Sequence, residues 1–561
     1  MVSNVKIIPL GGVRENSKSL YVVEVDAQIF VLDCGLMFPE GELYGIDAVI
    51  PDFTYLKQNK ERIAGVFLSH GHEDAIGALP YFIDEFNVPV FGSELTIELA
   101  RLQVESVIGK GNFSDYHVVD SSLAIDFGEV KVHFFQVTHT IPDAMGISIE
   151  TPEGHVVYTG NFKFDQSADG PYRTNLNHIS DIGKERVLAL LSSSLGAESL
   201  EENAPDKRVQ SVVTEIFQDA PTRIIVAAVQ SNLLRIQQII NAAHATNRKV
   251  FISSSKSQDI INVAIDLGKL TLPKKDILQS ISDLEKFHDD ETVILETGSS
   301  GEPIKALREM ATNQHPNIGI RNEDTVFIAT NPSVAMEVEV AECENLIYRS
   351  GGEVVKLSNQ IKASGHATPN DLQLMMNLLH PEYFIPVQGE YRVLAAHARL
   401  AHETGIPHEH IFTLSNGDVV EYKKGKMHST GTVPADNTLV DGIGIGDVGN
   451  IVLRDRRLLS NDGIFVAVVT IDRRKQKIVA KPHIVTRGFV FVKANYDLIN
   501  ESTTIVEKVI QQNLKHNDFD WGSIKSEIRN ELSDYLFKET KRRPIILPVI
   551  MEVNQRRWYD K

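Results

Sequence analysis

The sequence predicts an α/β protein of more than one domain, and three observations carry that expectation. Residues 1 to about 165 read as short strands between Gly and Pro turns, with two helical stretches among them. From about 208 the pattern changes to alternating helix and buried strand, as in a parallel, doubly wound unit. From about 450 a compact α+β segment follows, and 561 residues exceed what one hydrophobic core supports.

Each element has a local cause. Val5–Leu10, Leu20–Val25 and Ile29–Leu32 are rich in β-branched residues and suggest an early meander. Gly65–Leu68 reads as a buried strand, and helical patterns are expected near 76–86 and 94–107. Arg223–Val229, Val250–Ser253, Val293–Leu295 and Thr325–Ala329 are short apolar runs, as buried parallel strands are. Between them Leu233–Ala243 has helical spacing, with Ser231 or Asn232 as its N-cap. Near the C-terminus, strands are expected at 464–471, 477–482 and 544–552, and helices at 500–514 and 522–538. No internal repeat or low-complexity linker interrupts the chain.

Composition narrows the functional classes. The chain is 42% hydrophobic and 23% charged, ordinary for a globular protein. No apolar run approaches the roughly 18 residues of a membrane span, so no membrane partner is expected. Met1–Lys6 enters a strand directly without signal-peptide anatomy. Cys34 and Cys343 provide neither a disulfide framework nor a cysteine zinc site, and a cytoplasmic location is expected. A formal net charge of −19 argues against non-specific coating of nucleic acid. Local basic clusters remain: Arg454, Arg456 and Arg457; Arg473, Arg474, Lys475 and Lys477; Lys541, Arg542 and Arg543. Each reads equally well as a solvated charged face.

The most informative stretch is Ser69-His70-Gly71-His72-Glu73-Asp74-Ala75, at the end of the Gly65–Leu68 strand. A turn there can aim His70, His72 and Asp74 at one point, where imidazole suits zinc and carboxylate suits zinc or manganese. The plain alternative is a polar loop whose histidines satisfy local hydrogen bonds. Further along stand Leu32-Asp33-Cys34-Gly35, Thr138-His139-Thr140-Ile141-Pro142-Asp143, Thr159-Gly160-Asn161-Phe162-Lys163-Phe164-Asp165, Gly298-Ser299-Ser300-Gly301-Glu302-Pro303, Ser364-Gly365-His366 and Gly389-Glu390-Tyr391-Arg392.

In that order these motifs resemble the metallo-β-lactamase superfamily and, over nearly the whole chain, the RNase J family of β-CASP ribonucleases. The resemblance implies a metallo-β-lactamase αββα sandwich formed by residues 1–207 and 364–449. It also implies a β-CASP insertion at 208–363 that closes over the active site, and a C-terminal assembly domain at 450–561. Two metal ions in that family share seven side chains. Carried over, His70, His72 and His139 are present for the first metal. Asn161 stands where a bridging aspartate is expected, Ala75 and Gln388 replace two histidines of the second metal, and only Asp74 remains there. The family's Ser-Asp-Ser/Thr motif appears as Ser192-Ser193-Ser194, with Ser193 at the carboxylate position. The pattern resembles the active-site-degenerate second paralogue of Firmicutes.

The resemblance therefore implies at most one zinc or manganese ion per chain, or none. Asp74 and His366 are the catalytic candidates, His366 as a proton donor to the leaving oxygen. Ser231, Asn232, Gly298, Ser299, Ser300, Lys362, Ala363, Ser364, Gly365 and His366 are the candidates for binding an RNA 5′-monophosphate. Small residues in Gly298–Ser300 let backbone N–H groups approach a phosphate, and the dipole of the helix after Asn232 favours an anion. The expected function is RNA processing and decay. The protein would bind the 5′-monophosphate ends of single-stranded RNA with weak or absent 5′→3′ exo- or endonuclease activity. It would act as a homodimer and in a complex with an active RNase J paralogue. Alternatives are a fully competent metal-dependent ribonuclease and a small-molecule hydrolase such as a lactonase or thioesterase. The insertion and the C-terminal segment speak against the last.

Overall fold

The computed structural model describes residues 3–39, 43–299, 301–330, 336–442, 444–446, 449–472, 474–515 and 520–553. Ser300 and Arg473 lie outside the described residues. The chain separates into two compact units, Met1–Pro39 with Ala48–Thr438 and Glu40–Asp47 with Leu439–Lys561.

The larger unit contains three sheets. An eight-stranded sheet carries Val5–Gly11, Leu20–Val25 and Gln28–Leu32 as an antiparallel meander, continued in parallel by Ile63–Phe67, Val90–Gly92 and Tyr116–Val118. On its other side it is closed by Asp418–Lys423 and Lys426–Thr432. A six-stranded sheet runs in the order Tyr383–Val387, Val187–Ser193, Gly154–Tyr158, Met145–Thr151, Lys131–Gln136, Ala124–Asp126. Tyr21, Phe30, Leu32 and Phe67 of the first sheet share one buried cluster with Phe134, Ile147, Tyr158 and Ile385 of the second, so the two sheets form a sandwich.

The third sheet is wholly parallel, in the order Leu278–Gln279, Lys249–Ile252, Thr292–Gly298, Ile224–Val229, Thr325–Ile328, Glu353–Lys356. Its central strand Ile224–Val229 is buried along almost its whole length, because helices pack on both faces of such a sheet. The helix Leu233–Ala245 begins where expected, and Asn232 caps it: its side chain accepts from the Arg235 N–H at 3.0 Å. The single helix expected near 76–86 is instead two, Glu73–Ile76 and Leu79–Phe86. Pro80 has no N–H to continue the ladder from the first into the second.

In the smaller unit Lys477–Arg487, Ile464–Asp472 and Ile545–Glu552 form one sheet, with Ile464–Asp472 central. Helices Tyr496–Leu514 and Trp521–Thr540 cover one face, burying Val506, Ile510, Ile528 and Leu532 against Phe465, Ala467, Val469 and Ile546. On the opposite face Leu547, Val549 and Met551 are exposed. A further helix, Asn450–Asp462, was read in the sequence only as a basic cluster. Among the described residues no helix is long and apolar enough to cross a membrane.

Candidate metal centre

Two loops of the sandwich bring the histidines together. His70 and His72 follow the strand Ile63–Phe67, and His72 is the N-cap residue of the short helix Glu73–Ile76. His139 follows Lys131–Gln136 in the second sheet. The first loop is locked from Leu32–Gly35. Asp33 Oδ1 accepts from the Ser69 N–H at 2.7 Å, and the Cys34 N–H donates to Ala75 O at 2.7 Å. Gly35 is required there, since a Cβ would meet Asp74 O at 1.6 Å. Gly365 is required for a similar reason, its Cβ meeting Thr140 at 2.5 Å and His139 at 3.1 Å.

The coordinating atoms of His70, His72 and His139 lie within 4.8 Å of one another. Their outer nitrogens are all engaged. His72 Nε2 faces the carbonyl of Ser231 at 3.2 Å, and His139 Nδ1 faces the carbonyl of Gly365 at 2.9 Å. A carbonyl only accepts, so both ring nitrogens carry the proton. Ser69 Oγ donates to Asp33 Oδ2 at 2.7 Å, which leaves it to accept from His70 Nδ1 at 2.8 Å. All three inner nitrogens are therefore lone pairs. His72 Nδ1 and His139 Nε2 face each other at 3.2 Å, and His70 Nε2 is buried with no hydrogen-bond partner. Facing lone pairs repel unless a cation sits against them, so the donor set fits one metal ion.

Without a metal, a proton is the remaining cation, and His70 is the ring placed to take it. Burial opposes its charge, yet the Asp74 carboxylate, 3.5 Å from Nε2, and Asp33 together raise its pKa above the ordinary value. Burial and the neighbouring His70 push His72 down to about 3. Burial, with His72 and His70, holds His139 well below its ordinary value. Burial also raises Asp33 to about 6, against the charge of His70 and the hydrogen bonds from Ser69 and Tyr158. For Asp74, burial works against ionisation, but the neighbouring His70, 3.5 Å away, outweighs it and lowers the pKa.

The positions carried over to the second metal are arranged differently. Asp74 Oδ2 accepts from Asn161 Nδ2 at 2.8 Å, and Asn161 Oδ1 accepts from Ser193 Oγ at 3.1 Å. Ala75 is fully buried and apolar. Gln388, also fully buried, donates through Nε2 to Ser19 Oγ at 2.9 Å. Among the described residues the group that could hold an ion is the three histidines, and Asp74 is not in it.

A cavity of about 380 Å³ opens beside the histidines and gathers many of the expected substrate residues. Ser231, Asn232, Ala363, Ser364, Gly365 and His366 line it, with His72, Asp74, His139 and Asn161. His366 lies over His139 with ring centroids 5.6 Å apart, its Nδ1 is buried without a partner, and burial lowers its pKa to about 4. Gly298, Ser299 and Lys362 do not line it. The Ser299 N–H donates to the Glu302 carboxylate at 2.6 Å, Ser299 Oγ donates to Glu73 at 2.7 Å, and Lys362 donates to Ser199 and the Glu201 carbonyl. A larger cavity, about 540 Å³, lies along Gln136 and residues 164–177, and none of the three histidines faces it. Of the basic clusters, Arg456 is committed to Asp441 and to the carbonyls of Tyr44 and Gly45. Sequence reading assigned no role to Asp33, Glu73 or Arg235. Asp33 and Glu73 had a signal, their places in Leu32-Asp33-Cys34-Gly35 and in Ser69-His70-Gly71-His72-Glu73-Asp74-Ala75; Arg235 had none.

Fold and site together define a metallo-β-lactamase sandwich with a parallel α/β sheet beside it and a C-terminal α+β unit. Four family profiles match in chain order. They are the metallo-beta-lactamase superfamily at 13–174, the ribonuclease J beta-CASP domain at 221–347, the Zn-dependent metallo-hydrolase RNA specificity domain at 354–413 and the ribonuclease J C-terminal domain at 451–553. The chain is 49% identical to "Ribonuclease J 2" of Streptococcus pyogenes, over 98% of this chain and 100% of that one. It is 43% identical to the proteins of that name from Staphylococcus epidermidis and Staphylococcus aureus, over 98% of each chain. A protein of unknown function from Enterococcus faecalis shares the fold, with a TM-score of 0.52 at 16% identity over 75% of this chain and 100% of that one. The chain belongs to the ribonuclease J family.

Proposed function

We propose that this protein binds 5′-monophosphate ends of single-stranded RNA, cleaves RNA weakly or not at all, and works as a subunit beside an active RNase J paralogue. The observation that carries this reading is the bond from Asn161 to Asp74. Where the family resemblance places a bridging carboxylate, a neutral amide occupies the remaining carboxylate and is itself held by Ser193. A metal bound by His70, His72 and His139 would supply Lewis-acid chemistry and an activated water. The chain's own residues do the rest: Ser69, Ser231 and Gly365 orient the rings, and His366 stands over His139 to move a proton at the leaving oxygen.

In this reading the sandwich is 1–207 with 364–449, the insertion is 208–363, and 450–561 is the assembly domain. Support for assembly comes from the exposed face of Ile545–Glu552, where Leu547, Val549 and Met551 are 43, 41 and 48% exposed. Such a row on a sheet face suits a partner, by default a second copy related by a two-fold axis. The protein's place is the cytoplasm.

Elemental analysis of protein purified without chelator tests the centre. The expected result is at most one zinc or manganese per chain, lost in His72→Ala, with cleavage of 5′-monophosphorylated RNA far below that of an active paralogue. Two bound metals with rapid cleavage would favour the fully competent ribonuclease instead. For assembly, Leu547→Lys with Val549→Lys should shift the sedimenting species to monomer and abolish capture of the paralogue. Unchanged association would refute that role.

A further inference from the structure

Three arginines are buried among the described residues, and they differ in what they face. Arg223 pairs with Asp324. Arg248 donates to the carbonyls of Thr222 and Ala220. Arg235, in the first turn of Leu233–Ala245 and 6% exposed, lines the histidine cavity. It makes one side-chain hydrogen bond, from Nη1 to Gln238 Oε1 at 2.5 Å, and its Nε is buried with no partner. Burial lowers its pKa to about 10, which leaves it charged at neutral pH. The Asp206 carboxylate acts on it through space, but Asp206 Oδ1 is itself taken by Lys163 at 2.7 Å. A buried cation with no carboxylate hydrogen-bonded to it is costly unless something else neutralises it.

The cavity wall around it is rich in donors. Asn232 spends Oδ1 on its own helix, while its Nδ2 makes no hydrogen bond among the described residues. The backbone N–H groups of Ser364 and Gly365 likewise take no acceptor among the described residues. Two places expected to hold an anion are already filled. The first N–H groups of Leu233–Ala245 donate to Ser231 O, Thr140 O and Asn232, and the Ser299 N–H is taken by Glu302. In addition, a Cβ on Gly298 would meet Glu302 Oε2 at 2.6 Å, so a carboxylate of the chain fills that cradle. The carboxylates on the cavity wall, Glu73 and Asp74, are engaged by Ser299 and by Asn161.

From this we infer that Arg235 is the residue by which the cavity recognises a terminal phosphate. Its guanidinium forks two phosphate oxygens while the Ser364 and Gly365 N–H groups take the others. The inference rests on the reading of this cavity as the site for RNA ends, and names the group that tells a phosphate end from a hydroxyl end.

Full-length protein titrated at fixed ionic strength with one single-stranded oligoribonucleotide, bearing either a 5′-monophosphate or a 5′-hydroxyl, decides it by fluorescence anisotropy. Wild type should prefer the phosphate by about tenfold or more. Arg235→Gln should erase the preference by bringing affinity for the phosphate end down to that for the hydroxyl end, and Arg235→Lys should keep part of it, having the charge without the fork. Inorganic phosphate should abolish the wild-type preference at concentrations that spare the hydroxyl RNA. A wild type that binds both RNAs equally, or an Arg235→Gln protein that keeps the preference, overturns the inference while RNA binding stands. Binding of neither RNA overturns the parent reading with it. Should Arg235→Gln fail to fold, absence of inorganic-phosphate competition in wild type overturns the inference by itself.

Discussion

The two halves of the centre, three imidazoles on one side and Asp74, Ala75, Asn161, Ser193 and Gln388 on the other, behave in opposite ways. In the first, every ring has one nitrogen tied to a fixed partner, so its other nitrogen points inward as a lone pair with no donor to match it. In the second, donors and acceptors answer one another: Asn161 with Asp74, Ser193 with Asn161, Gln388 with Ser19. Proximity alone does not make a metal site. What makes one is several unmatched electron pairs gathered at one point; the first half gathers those of His70, His72 and His139, while the second leaves only the Oε1 of Gln388 buried without a partner.

The largest test of that contrast is to convert the second half into the likeness of the first. Ala75→His, Asn161→Asp and Gln388→His together should raise cleavage of 5′-monophosphorylated RNA by orders of magnitude in a single-turnover assay. Each alone should do little, because ligands of one centre act as a unit. Adding Ser193→Asp should raise it by a further roughly 10–100-fold. A triple variant no faster than wild type would mean that the losses lie elsewhere. A smaller effect sharpens the comparison in chelator-treated protein. Asn161→Ala strips Asp74 and Ser193 of their partner and should cost about 1–3 kcal/mol in chemical denaturation. His139→Ala, which removes a repelling lone pair, should cost less.

An effect of similar size, spread over pH, concerns His397, which accepts or donates at Ser194 through Nδ1 at 3.0 Å and has a buried, partnerless Nε2. Burial pushes its pKa down to about 3. Its folded pKa is below the unfolded value near 6.5, so between those values the unfolded chain binds the extra proton. Stability is therefore retained above about pH 6.5 and lost as the pH falls, with a slope from this group of about 1.4 kcal/mol per pH unit. His397→Gln should flatten the wild-type slope between pH 6.5 and 4.5 by that amount, measured by denaturant titration.

Much of this was legible in the sequence, for physical reasons that can be named. Buried parallel strands announce themselves as short apolar runs, so Ile224–Val229 and Thr325–Ile328 stood out. Asn232 was readable as a cap because a short polar side chain before a helical run has one common use. The three histidines were readable because spacing and the family resemblance agreed on them. At Gly298–Ser299 composition shows which backbone N–H groups small residues leave accessible, not that the carboxylate of Glu302, three residues on, accepts from the Ser299 N–H. Arg235 was passed over because an arginine in a helix is ordinarily solvated, and only the fold reveals that it is enclosed. The helix Asn450–Asp462 was hidden by its charge, which reads as a polar cluster until the backbone is traced.

Ser231, whose carbonyl fixes the proton on His72, belongs to the loop that follows Ile224–Val229 of the parallel sheet, while His72 belongs to the sandwich. A ring that loses that carbonyl is free to change tautomer or turn away. Ligand affinity at the histidines and the closeness of these two layers are therefore two sides of one equilibrium. By reciprocity, whatever strengthens one by a given factor strengthens the other by the same factor. An RNA strand that draws the parallel sheet onto the sandwich would tighten the ion's hold, and an ion would in turn favour the arrangement that grips the strand. In the proposed reading, an ion at the three histidines would serve as a fastener, valued for how it holds the layers together.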